Sequence, residues 1–250
     1  RVDEDARPRG DARLERADPL ERHTENTRSE HHRHAVLGGA ASHYGGPAAL
    51  AEMWSAVHGL IFHEANQLKK NWFDLYHVIN DAGHCENGLY ALKANYKMAG
   101  LDLEHLKHFR SITSKLTGHG EAHLFPEGVY MSNGPLGSAF PQSQGLALAE
   151  KIAGTNRTTI CTLSDGAAME GEAKEAMAAI PGLAAKGKCA PFVLLVTDNN
   201  TKLSGRIDQD AVRSLIAKGV PAGGVVVWLR GGIYERTTPL SLDARDSGIS

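Results

Sequence analysis

Ser164-Asp165-Gly166 closes one apolar run, residues 158–163, and Asn199-Asn200 closes another, residues 192–197. An Asp carboxylate and an Asn amide oxygen are hard donors of the kind that Mg²⁺ or Ca²⁺ takes. A second set of candidates is three histidines, each in a glycine-bearing stretch. These stretches are Ser42-His43-Tyr44-Gly45-Gly46, Ala82-Gly83-His84 and Thr117-Gly118-His119-Gly120-Glu121. Imidazole can donate a hydrogen bond to an anion and titrates near neutrality, which suits phosphate contacts and proton transfer. The third candidate is Ser132-Asn133-Gly134-Pro135-Leu136-Gly137. Two glycines around a rigid Pro-Leu step let the backbone come close to a flat ligand. Each set has a plainer reading. Asp165 could N-cap the following helix, the histidines could be solvated, and the Gly-Pro-Leu-Gly step could be a surface turn.

These side chains need a frame, and the periodicity supplies one. Residues 158–163 and 192–197 read as buried strands around a helix at 171–185. That makes a βαβ unit with its ligand groups at the carboxyl ends of the strands. Leu50, Met53, Trp54, Val57 and Ile61 recur at spacings of three and four, predicting an amphipathic helix over 47–62 begun by Pro47. A strand is expected at 73–79, and helices at 88–98, 103–109, 142–152 and 211–218. Residues 224–230 read as a further strand and 239–242 as a candidate one. The fold class expected is α/β, a mostly parallel sheet with helices on both faces. Cys161 falls in a predicted strand as a small core residue, whereas His58, His63, His105 and His108 lack a site-like context and are expected on the surface.

Residues 1–34 differ in composition. Arg alternates with Asp and Glu, apolar residues are scarce, and His31-His32-Arg33-His34 ends the stretch. Such a segment cannot offset its ordering entropy by burial, so a disordered, solvated arm is expected. Three domains follow from this reading: the arm 1–34, a phosphate-binding domain 35–208, and an αβ tail 209–250.

At 250 residues the chain is long enough for a full core. A net charge of -2 gives no reason to expect a nucleic-acid partner. The three cysteines are odd in number and widely spaced, against a disulfide framework. No apolar run reaches membrane-spanning length and no signal peptide opens the sequence, so a cytoplasmic setting is expected.

Taken in order, the five motifs resemble the N-terminal, diphosphate-binding domain of transketolase over roughly residues 38–208. The resemblance implies thiamine diphosphate held through Mg²⁺, with Ca²⁺ as the alternative. Asp165 and Asn200 would be side-chain ligands and a backbone carbonyl near Lys202 a third. Gly166 would admit the phosphates, and His84 would face them. His43 and His119 would face the sugar-phosphate substrate and assist proton transfer. Gly134 and Leu136 would lie beside the aminopyrimidine ring, and Glu170 would join a carboxylate network linking sites across a dimer. The wording of the His119 and Leu136 motifs favours transketolase over deoxyxylulose-phosphate synthase.

Departures from the family pattern are Ser164 in place of glycine, Tyr44 in place of proline, and a stretch 200–205 one residue short. The glutamate that activates the cofactor's pyrimidine lies in the family's next domain. Turnover is therefore expected to need a pyrimidine-domain subunit or further C-terminal domains, in a homo- or hetero-oligomer. The alternative is a non-catalytic thiamine-diphosphate-binding module or remnant. Residues 223–234, with Asp246-Ser247-Gly248 downstream, also resemble the opening strands of right-handed parallel β-helix proteins. A foreign tail or a fragment of a carbohydrate-active protein is the third reading.

Overall fold

The computed structural model describes His43, residues 45–198 and the backbone of 225–230. The arm 1–34, the helix expected at 211–218, the strand expected at 239–242, and Tyr44, Asn200 and Lys202 lie outside the described residues.

The sheet has four parallel strands in the order β1 (Tyr76–Asn80), β2 (Thr158–Ser164), β3 (Phe192–Asp198) and β4 (Val225–Arg230). Of the strand expected at 224–230, residues 225–230 thus extend the same sheet beside β3, the next step of the α/β pattern. Alternation along the strands sends successive side chains to opposite faces. Ile79, Cys161, Leu163, Leu194 and Val196 pack on one face against α4 (Ala139–Ala153) and α5 (Gly171–Ala185). On the other, Ile160 and Leu195, with Val78 and Val193, pack against α1 (Gly45–Leu68) and α2 (Glu86–Asn95). Parallel strands are stable when covered on both sides in this way.

The helix expected at 47–62 runs from Gly45 to Leu68 and buries Leu50, Met53, Trp54 and Ile61. Trp54 also donates from Nε1 to Thr162 Oγ1 at 3.3 Å, fixing α1 on the sheet. Gly88 sits where α2 crosses α1: a Cβ there would lie 2.8 Å from the Trp54 ring and 3.0 Å from Pro47. The strand expected at 73–79 begins only at Tyr76, because Trp72–Asp74 closes a 3₁₀ turn with Leu75 N donating to Trp72 O.

His58 corrects the sequence reading. It is buried, four residues after Trp54 on the same apolar stripe, and its Nδ1 donates to Trp54 O at 2.7 Å. Burial pushes its pKa down to about 4. His63, His105 and His108 are exposed, as expected.

The helix expected at 103–109 is the short α3 (Leu103–Leu106), and residues 107–138 contain no long element. They fold as a crossover held by directional contacts and by Leu116, Phe125 and Val129, which form a third apolar cluster with Tyr90 and Ala91 of α2. This crossover carries His119 and the Gly-Pro-Leu-Gly loop back to the strand ends.

Candidate functional site

Asp165 follows the last residue of β2 and Asp198 ends β3. Ser164 is paired with Thr197 in the ladder, and Asp165 N donates to Thr197 O at 2.8 Å. Asp165 and Asp198 thus stand at the carboxyl ends of neighbouring strands, both 2% exposed. Asp165 does not cap the helix. Its Oδ1 accepts from Gly166 N at 2.9 Å, a 3₁₀ turn (Ala167–Met169) intervenes, and Glu170 occupies the N-cap position of α5. Ser164, where the family pattern has glycine, accepts from Ala167 N through Oγ at 3.1 Å and so holds that turn.

The three histidines converge. His43 precedes α1, His84 lies in the 3₁₀ turn after β1, and His119 is in the crossover. The His43 and His84 rings meet edge to face with centroids 4.9 Å apart. Burial lowers the His84 pKa to about 4, with further lowering from the neighbouring His43 and His119. His84 is thus a neutral donor or acceptor at pH 7 rather than a cation. Gly46 lets the first turn of α1 approach: a Cβ there would lie 2.4 Å from Cys85 Sγ and 3.8 Å from His84 Nε2. Asn87 Nδ2 donates to His43 O at 3.2 Å, and Thr117 Oγ1 donates to His119 O.

The Gly-Pro-Leu-Gly loop is held against the end of β1 by Asp81. That carboxylate is fully buried and accepts from Gly137 N and Phe140 N, each at 2.8 Å. It therefore sits at the N-terminus of α4, where a negative charge is favoured. Burial raises the Asp81 pKa, while the main-chain donors of Phe140, Gly137 and Ala139 oppose the rise. Leu136 is 39% exposed at the tip of the loop, and Gly134 lies near the Glu121 carboxylate. Gly137 has φ +87°, and a Cβ there would lie 2.6 Å from Glu170 Cβ, so the loop packs directly on the start of α5.

The family model described as "Transketolase, thiamine diphosphate binding domain" matches residues 33–223. The chain belongs to the transketolase family. The transketolase of Treponema pallidum is 31% identical over 222 residues, 84% of this chain and 32% of that protein. A crystal structure of transketolase from Pichia stipitis superposes with TM-score 0.66 at 25% identity, covering 80% of this chain and 31% of that one. Transketolase from Leishmania mexicana gives TM-score 0.64 at 25% identity, covering 81% and 31%. The chain thus spans about a third of the length of these transketolases.

In this transketolase-family domain the expected His43, His84 and His119 come together, and Asp165 lies at the end of the adjacent strand β2. Sequence reasoning passed over Asp198, Asp81, Glu86 and Asn133. Asp81 sits inside the Asn80-Asp81-Ala82-Gly83-His84 turn, and an acid next to a glycine turn at a strand end was the available signal. Asn133 lies within a quoted motif, but its partners come from residues 80, 86 and 120 and are invisible to local spacing. The donor set fits the family's cofactor. Buried Asp165 is a hard oxygen donor of the kind a divalent cation takes, commonly one or two carboxylates with further oxygens from phosphates, and neutral His84 can donate to a phosphate oxygen.

Proposed function

We propose that this chain is the diphosphate-binding part of a transketolase-type enzyme, holding thiamine diphosphate through Mg²⁺ and contributing to two-carbon ketol transfer between sugar phosphates. The observation that supports this best is the meeting of His43 and His84 beside His119, near the strand ends that carry Asp165 and Asp198. Asp165 and Asn200 would hold the metal, with a main-chain carbonyl at Lys202, and Gly166 would leave room for the phosphates. When bound, the cofactor would supply an electron sink for the cleaved ketose.

The roles of this chain's own residues follow from their surroundings. Neutral His84 would donate one N–H to a phosphate oxygen. His43 and His119 would hold the substrate's hydroxyls and move protons at its oxygens. Exposed Leu136 would offer its apolar edge to the bound ring, and Gly134 would let the backbone come close. The pyrimidine-facing half of the site would come from a further domain, on the same or another chain, and a cytoplasmic setting is part of this reading.

Calorimetric titration of thiamine diphosphate tests it, with Mg²⁺, with EDTA, and with Asp165→Ala. Metal-dependent binding that Asp165→Ala removes from a folded protein would support the proposal. Equal binding with EDTA would sink the metal-bridged reading. Adding a pyrimidine-domain partner should then produce ketol transfer, and a folded, cofactor-loaded pair that stays inactive would leave a binding module without catalysis.

A further inference from the structure

We propose that Glu86 is a positioning residue whose buried carboxylate locks the turns carrying His84 and His119 into one geometry, acting through Asn80 and Asn133. The inference rests on the proposed function for its consequence, and on hydrogen bonds for its substance.

Glu86 opens α2 two residues after His84 and is 2% exposed. Its Oε2 accepts from Asn80 Nδ2 at 3.0 Å and from Asn133 Nδ2 at 2.9 Å. Its Oε1 accepts from Lys93 Nζ at 3.1 Å, and Lys93 also donates to Gly128 O. Asn133 spends its other amide proton on Asn80 O at 2.9 Å, and its Oδ1 accepts from Gly120 N at 2.7 Å. Asn133 N returns a bond to Gly120 O at 3.1 Å. The residue after His119 is therefore clamped from both sides by Asn133, and Asn133 is aimed by Glu86.

The His84 turn is held to the same hub. Asn80 donates to Ala82 O at 2.9 Å and accepts from Ala82 N at 3.1 Å. Gly83 lies so close that a Cβ there would be 2.0 Å from Asn133 O and 2.6 Å from Asn133 Oδ1. Both histidine turns thus touch one asparagine.

Stability alone does not explain this arrangement. A buried Glu–Lys pair is commonly no better than an apolar pair of similar volume, because two charges must leave water. The carboxylate instead provides direction, since one oxygen can receive two amide protons from two loops while the other takes the ammonium. A carboxamide cannot do this. Glu86→Gln keeps the volume but leaves one acceptor oxygen and turns an N–H₂ towards either Lys93 or the asparagine amides.

The test compares the cofactor-free chain with its Glu86→Gln variant by NMR, with thermal melting to confirm folding. It follows the His84 and His119 imidazole titrations and the hydrogen exchange of the Gly120 amide. The expected result is a His84 midpoint rising from about 4 towards 6.5, and Gly120 exchange at least about tenfold faster while β2 amides keep their rates. A merely structural role would raise exchange throughout and leave the midpoint in place, which would overturn the proposal. Should Glu86→Gln not fold, the wild-type chain still decides: a Gly120 amide that exchanges as an open loop overturns the clamp, and one protected like β2 supports it. A chain that binds no thiamine diphosphate yet shows these responses sinks the proposed function and leaves this inference standing. One that binds, with a folded Glu86→Gln variant that titrates and exchanges like wild type, sinks this inference alone.

Discussion

His43 and His84 meet edge to face with ring planes at 72°, although one precedes α1 and the other follows β1. The contact exists because α1 packs Trp54 on the sheet while its first turn, thinned by Gly46, passes over Cys85. Adding the crossover residue His119 sets three imidazoles close together, and a positive charge on His43 or His119 makes buried His84 harder to protonate.

Burial of His84 and His58, with that crowding added at His84, sets an acid limit on stability. The folded pKa values of His58 and His84 lie near 4, below the ordinary 6.5. The unfolded chain therefore binds more protons between those values, and stability falls as pH drops from about 6.5 to 4. For fully buried His58 the loss is roughly 3 kcal/mol, and partly solvated His84 adds less. Urea titrations at pH 7.5 and pH 4.5 should show the lower midpoint at pH 4.5, and a His58→Phe variant that folds should lose part of the dependence.

Asp165→Asn should be as informative as Asp165→Ala. An amide preserves shape and accepts from Gly166 N, so the thermal midpoint should stay close to that of the wild type. Mg²⁺-dependent affinity for thiamine diphosphate should fall by at least roughly tenfold, the lower range for disturbing a metal's support. Calorimetry on the folded variant checks both halves.

Gly83→Ala should damage the site through packing. Its Cβ would overlap Asn133 O, a backbone atom that can yield only if the Asn133 loop moves. Overpacking of this kind costs about 1–3 kcal/mol. Cofactor affinity should fall with stability, and a thermal melt paired with calorimetry would show whether both change.

A second buried charge cluster should separate stability from function. Glu150 accepts from His77 Nε2 at 2.8 Å, from Arg157 Nε at 2.8 Å and Nη2 at 2.6 Å, and from Thr155 Oγ1. Burial raises its pKa, but the bonds from Arg157, His77 and Thr155 outweigh this and bring it down to about 2. Arg157 precedes β2 and His77 is the second residue of β1, so the cluster lies at the strand ends opposite the candidate site. Arg157→Ala leaves a buried carboxylate short of donors and should destabilise by roughly 3 kcal/mol. Cofactor affinity per folded molecule should not change, and denaturant melts with calorimetry would show a coupled loss if it does.

Local physics made the frame readable. Alternating apolar residues marked β2 and β3, the three-and-four spacing marked α1, and the helix Gly171–Ala185 stands where the periodicity put it. Asp165 and His84 stood out as polar residues in glycine turns that follow strands, and His43 and His119 as histidines with glycines close by in the sequence. Boundaries such as the late start at Tyr76 were set by a turn that only the packed chain forms. His58 was misread because its stripe, shared with Trp54 and Ile61, was weighed against the polarity of imidazole. A single bond to Trp54 O makes that burial tolerable.

The sequence by itself determined the α/β class, the family and the residue types of the candidate site, since these follow from periodicity and short motifs. Only the tertiary structure decided which turns share a partner. It joined Asp81 to Gly137 and Phe140, bonded Asp165 N to Thr197 O, and joined Glu86 to Asn133 and Asn133 to Gly120. Such links depend on strand register and on a crossover without regular structure. Hydrogen bonds between residues far apart in the chain leave no period for a sequence to display.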